Sequence, residues 1–189
     1  MKWNNIKPDI KACHINNITG GWSAIDIVKL ISKTSDYPLV IIPENIRKKI
    51  LAHLKTRKVE LGGLLVGSVV SLDDLNEGLT AIIINDSIES HEYDSTSVSL
   101  SMNPKVWQSA SQISNDINFV VGWYHSHPNL GAFFSGVDRK TQKDFFNSAY
   151  NLGLVIDPIR NEEKWFISSD SIEVQSTNIR SELNGLAVV

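Results

Sequence analysis

Apolar periodicity along the chain predicts an α/β fold, a single-domain mixed β-sheet flanked by helices. Three observations carry the prediction. Strand-like and helix-like segments alternate from residue 39 to residue 174. The length, 189 residues, suffices for one sizeable core and would cramp two. The run Phe119-Val120-Val121-Gly122-Trp123-Tyr124 is apolar enough to lie buried within a sheet rather than along its surface.

Taken in order, residues 39–42 form a short strand, and Pro43-Glu44 opens a helix in which Ile46, Ile50 and Leu54 recur at helical spacing. Residues 60–70 and 79–84 read as strands. The turn-rich Asp73-Asp74-Leu75-Asn76-Glu77-Gly78 between them makes an antiparallel pair the simplest connection. Residues 96–102 alternate, with Val98, Leu100 and Met102 on one face, before Asn103-Pro104 caps a second helix whose core-facing stripe is Val106, Trp107, Ala110 and Ile113. The strand 119–124, a helix over 139–150 and strands at 154–156, 165–167 and 172–174 complete the sheet. Residues 39–175 form the expected domain and 176–189 a C-terminal tail. Residues 1–38 form an appendage in which Ser23-Ala24-Ile25-Asp26 can cap a short amphipathic helix over Ala24, Ile27, Val28 and Ile31, with Gly20-Gly21 as the turn before it. Oligomerisation is one use for that appendage.

Composition excludes several classes. A formal net charge of -3 leaves no electrostatic footprint for nucleic acid, and Lys55-Thr56-Arg57-Lys58 sits where cations suit a helix C-terminus. Cys13 is the only cysteine, so there is no disulfide framework, no cysteine-based zinc site and no thiol-protease constellation. A reducing, cytoplasmic setting is expected. No apolar run approaches the roughly 20 residues that span a bilayer, and the polar N-terminus lacks a signal peptide's apolar region. A membrane is therefore not an expected partner.

The chemistry concentrates in His125-Ser126-His127-Pro128, followed by Ser135 and Asp138. Alternate side chains of an extended strand share a face, so both histidines can reach one ion, and the step to Asp138 lets the chain turn and add a carboxylate. Two imidazoles and a carboxylate suit zinc, and three ligands leave a position open for water. Each part has a plainer reading. Strand histidines on a solvated face are common, and Ser-x-x-Asp before a helix is a capping box.

Gly122-Trp123-Tyr124-His125-Ser126-His127-Pro128, with Gly131, Phe134, Ser135-Gly136-Val137-Asp138 and Thr141-Gln142, resembles the signature of the JAMM metalloproteases. These are the catalytic MPN-domain, or JAB-domain, proteins that include the deubiquitinating subunits of the proteasome lid and the signalosome. The family pattern also has a glutamate before a Gly-rich apolar strand. Val59-Glu60-Leu61-Gly62-Gly63-Leu64-Leu65-Val66-Gly67 is similar to that segment, and Leu154-Val155-Ile156-Asp157-Pro158 resembles the family's next core strand. The likeness runs from about residue 39 to about residue 169.

The resemblance implies the MPN/JAB architecture, which is related to the cytidine-deaminase fold, and one Zn2+ per chain held by His125, His127 and Asp138. It implies Glu60 as general base and then general acid, since zinc lowers a water's pKa but amide hydrolysis still needs a proton carrier. Ser135 and the zinc would hold the developing oxyanion. It further implies a zinc-dependent isopeptidase or peptidase cutting after the C-terminus of a ubiquitin-like protein, with that modifier or its conjugates as partner. The loop 129–134 offers Asn129, Leu130 and Phe133 for substrate contact, and the 91–95 connection offers His91 and Tyr93. At least one of Phe133 and Phe134 belongs to the core. His14 and His53 are expected bystanders, with His53 on the polar side of its helix. A non-catalytic MPN scaffold and a general metallopeptidase are the alternatives. A nucleobase deaminase would need a His/Cys/Cys set that one cysteine cannot supply.

Overall fold

The computed structural model describes residues 12–14, 37–71, 79–90 and 104–181. Its strands are β1 (Cys13–His14), β2 (Leu39–Ile41), β3 (Gly62–Ser71), β4 (Leu79–Glu89), β5 (Phe119–Ser126), β6 (Leu152–Asp157), β7 (Glu162–Ile167), β8 (Ile172–Val174) and β9 (Ile179–Arg180). Its helices are α1 (Glu44–Leu54), α2 (Pro104–Ile113) and α3 (Gly136–Phe145), with one 3-10 turn, Ser176–Asn178. Among the described residues these strands form one mixed sheet, ordered β8-β7-β6-β5-β3-β4-β2-β9. The expected class is the observed one.

The antiparallel pairing of β3 with β4 follows the turn signals between them, while β5 and β6 lie parallel because α3 carries the chain between them. Every residue of β3 is buried, as befits a strand covered on both faces. β5 pairs with β3 only as far as Gly67, and β1 takes the same edge further on, matching Cys13 with Val70. Thus a piece of the appendage and the last strand, Ile179–Arg180 beside β2, both extend the sheet.

The helices divide the apolar side chains into two layers. Ile46, Ile50 and Leu54 of α1 join Leu65, Val69, Val121 and Tyr124 on one face. Val106 and Ala110 of α2 join Leu64, Trp123, Phe134, Phe146, Val155 and Phe166 on the other. Two members of the expected α2 stripe depart from it: Trp107 and Ile113 are exposed, because only Val106 and Ala110 reach the sheet. Trp107 still stacks on Phe146, with ring centroids 6.0 Å apart. The third helix begins at Gly136, earlier than residue 139, because Ser135 caps it, and it ends at Phe145. The alternating segment 96–102 and the helix expected after Ser23 lie outside the described residues.

A register shift in β5 decides which sheet face its C-terminal half presents to each layer. Leu65 pairs with Gly122 but Val66 with Val120, so Val121 is the extra residue of a β-bulge. Phe119 and Val121 face the α1 layer, whereas beyond the bulge Trp123 faces the α2 layer. His125, two residues on, shares Trp123's face.

Candidate metal centre

β5 delivers His125 at its end, and His127 follows one residue past it, held in line by its N–H donating to the Ile156 carbonyl at 3.0 Å. α3 delivers Asp138 from its first turn. His125 Nε2 lies 3.3 Å from Asp138 Oδ1, and His127 Nε2 lies 3.6 Å from Oδ2. One ligand atom from each of the three residues falls within 4.8 Å of the others, and all three residues are buried.

The capping box and the candidate metal site share Asp138. Ser135 Oγ accepts from the Asp138 N–H at 3.2 Å, and Asp138 Oδ2 accepts from the Ser135 N–H at 2.7 Å. Asp138 Oδ1 meanwhile faces His125. The plainer reading of Ser-x-x-Asp is therefore realised, and it aims the carboxylate at the histidines rather than competing with them.

These residues fit a metal ion on electrostatic grounds. His125 Nδ1 and Nε2 and His127 Nδ1 are buried without a hydrogen-bond partner among the described residues, a costly arrangement for bare imidazoles. Burial, joined by the neighbouring His125, holds His127 below the ordinary imidazole pKa, which favours the neutral, ligating form. Burial pushes Asp138 up, but the adjacent His125 ring and the hydrogen bonds with Ser135 outweigh it and bring the carboxyl down to about 2. Two imidazole nitrogens and one carboxylate form a donor set suited to zinc.

Glu60 stands at the rim, just before β3, with Oε1 3.8 Å from His127 Nε2 and 43% of its side chain exposed. Partial burial raises its carboxyl above the usual carboxylate value; His125 opposes that shift and Asp138 adds to it. A raised carboxyl beside a metal site is suited to taking and returning a proton.

The predicted contact residues lie on one loop. Phe133 is exposed, with its ring 4.9 Å from His127, while Leu130 and Asn129 project into solvent. Phe134 is buried against Trp123, His125 and Phe166, so it is the core member of the aromatic pair. His91 and Tyr93 lie outside the described residues, as does the His14 side chain. His53 is not on a polar face: it is buried, with Nδ1 3.0 Å from the Tyr124 hydroxyl. It sits beneath the strand residue that precedes His125.

Two further residues shape the site, both part of the family resemblance but given no role by the sequence. Asp157, buried at the end of β6, accepts from the N–H groups of Asn129, Ile159 and Arg160 through Oδ1 and of Gly131 through Oδ2, at 2.8 to 3.1 Å. Burial alone would raise its pKa, but these four donors bring it down to about 2. The same carboxylate lets Asn129 (φ 64) and Gly131 (φ 92) hold left-handed turns. A charged residue closing an apolar strand just before Pro158 was the available signal. Gln142 is the other, fully buried one turn along α3 from Asp138, and i,i+4 spacing puts both on one helix face.

Comparison with known proteins accords with this arrangement. A family model described as JAB1/Mov34/MPN/PAD-1 ubiquitin protease matches residues 36–150. COP9 signalosome complex subunit 5 of Debaryomyces hansenii is 26% identical over 157 residues, covering 81% of this chain and 31% of that protein. Ubiquitin carboxyl-terminal hydrolase RPN11 of Saccharomyces cerevisiae is 49% identical over 43 residues, 22% of this chain and 14% of that protein. The chain spans about a third of the first relative's length, or less. The solution structure of protein DSY2949 from Desulfitobacterium hafniense matches with a TM-score of 0.54 at 21% identity, covering 77% of this chain and 96% of that one, and so shares the fold. No helix among the described residues is long and apolar enough to cross a membrane. With the family model covering more than half of its length, the chain belongs to the JAB/MPN domain family.

Proposed function

We propose that this protein is a zinc-dependent isopeptidase or peptidase that hydrolyses the amide after the C-terminus of a ubiquitin-like protein. The observation that carries the reading is the convergence of His125, His127 and Asp138 within 4.8 Å, with the Glu60 carboxylate beside them. An assembly scaffold would have no use for a buried, unpartnered imidazole pair beside a raised carboxyl. Relatives named as a signalosome subunit and a ubiquitin carboxyl-terminal hydrolase support the substrate class.

In this reading His125, His127 and Asp138 hold one zinc, which supplies Lewis-acid activation of water and of the amide carbonyl. Glu60 takes the proton of the attacking water and delivers it to the departing amine. Its position at the rim suits this, since the group must reach both the buried site and a leaving group in solvent. Ser135 Oγ offers an O–H donor to the developing oxyanion from the N-cap of α3. Phe133, Leu130 and Asn129 line the approach. The chain acts in a non-membrane, cytoplasmic setting on a modifier or its conjugates, with residues 39–175 as the catalytic unit.

Zinc analysis combined with a cleavage assay tests the reading. Purified protein should hold about one zinc per chain, and His125→Ala, His127→Ala or Asp138→Ala should each lose most of it while still melting cooperatively. A ubiquitin-like fusion ending in Gly-Gly should be cut, and a bulky residue in place of the final glycine should abolish cutting, because glycine lets the backbone approach closely. Full zinc retention in the double histidine variant would sink the site. Tight partner binding with no cleavage would make the protein a scaffold, and indifference to the final residue would make it a general peptidase.

A further inference from the structure

We propose that Gln142 is a positioning residue for the metal centre, acting through Trp123: the amide fixes the plane of the indole, and the indole fixes the plane of the His125 imidazole. The inference rests on reading His125 as a ligand.

A metal-binding histidine is ordinarily oriented by a hydrogen bond from its second ring nitrogen to a carboxylate or carbonyl. His125 has no such bond among the described residues, since Nδ1 is buried and unpartnered. The ring must therefore be held by what lies against its faces. Trp123 stacks on it almost parallel, with centroids 4.5 Å apart and planes 9° apart, and Phe134 tilts against it at 5.8 Å. The bulge at Val121 is what brings Trp123 and His125 onto this face together.

The indole is in turn fixed by one polar contact. Trp123 Nε1 donates to Gln142 Oε1 at 2.6 Å in a buried setting. The amide can point only one way, because Gln142 Nε2 donates to the carbonyls of Phe146 at 3.1 Å and Asn151 at 3.0 Å. A flipped amide would set N–H against N–H and oxygen against two oxygens. Gly153 makes the space: a Cβ there would stand 2.3 Å from the Phe134 ring and 3.0 Å from Gln142 Oε1. Two backbone carbonyls thus define the amide, the amide the indole, and the indole the ligand. The Gln142 amide bonds to Trp123, Phe146 and Asn151 rather than to His125, so its effect is on ligand geometry.

The test is metal affinity and ligand-field spectroscopy on the full chain, with Zn2+ and Co2+ as probes. Gln142→Met, similar in volume but without hydrogen bonds, should still bind one metal per chain while zinc affinity falls about tenfold or more and the visible Co2+ bands shift. Trp123→Phe, which keeps an aromatic face but no N–H, should reproduce the loss, and adding Gln142→Met to it should cost little more affinity. Unchanged affinity and an unchanged Co2+ spectrum, with only a lower melting temperature, would overturn the proposal and leave Gln142 a core residue. Should Gln142→Met fail to fold, the Trp123→Phe measurement decides alone by the same criteria. A wild type that binds no metal would instead overturn the reading of the site itself.

Discussion

His125 and His127 stand two residues apart, yet different physics holds them. His125 is clamped by ring faces, Trp123 on one part and Phe134 on another, in an apolar layer that also contains Phe146 and Phe166. His127 begins a loop secured by hydrogen bonds and charge. Its N–H donates to Ile156, its carbonyl accepts from the Leu130 N–H, and Asp157 gathers four N–H groups of this loop and the facing β6–β7 turn. Arg160 adds a bond to the Asn129 carbonyl, and Glu162 accepts from the Ala132 N–H. Apolar packing is little affected by salt, whereas a carboxylate network responds to pH through its own protonation. The difference places one candidate ligand in an apolar layer and the other at the start of a hydrogen-bonded loop that carries the exposed Leu130 and Phe133.

The largest effect should follow from removing the carboxylate that secures the loop. Asp157→Ala leaves several N–H groups without their acceptor, at about 1 kcal/mol or more each, so folding stability should fall by roughly 3 kcal/mol in denaturant melts. Asp157→Asn sharpens the contrast through pH. A carboxyl held at about 2 when folded, against an ordinary value near 3.9, contributes stability that is complete above about pH 4 and lost as pH falls through about 2. The stability difference between wild type and Asp157→Asn should therefore shrink across that window, with the contribution of Asp138 common to both proteins. A constant difference would mean that the loop is held by packing, as His125 is.

A smaller effect is expected at the rim. Phe133 and Leu130 are 45% and 61% exposed, so Phe133→Ala and Leu130→Ala should change stability by only about 0.5 kcal/mol. If they meet substrate, KM for a ubiquitin-like fusion should rise by roughly tenfold, about 1.4 kcal/mol, with kcat nearly unchanged. A fall in kcat at constant KM would assign the loop to metal geometry instead.

The sequence disclosed the parts of this fold that depend on local pattern. The helical spacing of Ile46, Ile50 and Leu54, the apolar strand before His125 and the capping box at Ser135 could all be read from neighbours in the chain. What stayed hidden depends on contacts across the sheet. The bulge at Val121 is set by the partner register, and nothing beside His53 announces the Tyr124 hydroxyl 71 residues away. Asp157 likewise finds its donors 26 and 28 residues back along the chain, as well as in its own turn. Trp107 and Ile113 depart from the expected burial because helical spacing identifies a stripe without saying how far a sheet covers it. The cluster residues proposed as metal ligands were legible as residue types at a spacing. That Asp138 serves both cap and cluster was not, since it turns on which oxygen faces which group.

The central claim, a hydrolase in which the three ligands bind zinc and Glu60 moves the proton, is tested most directly by single-turnover cleavage of a Gly-Gly-terminated ubiquitin-like fusion by zinc-loaded wild type and Glu60→Gln. The account predicts equal zinc content and substrate affinity, with the cleavage rate of Glu60→Gln lower by roughly 10²-fold or more. Equal rates for the two proteins, or no cleavage by zinc-loaded wild type, would contradict it.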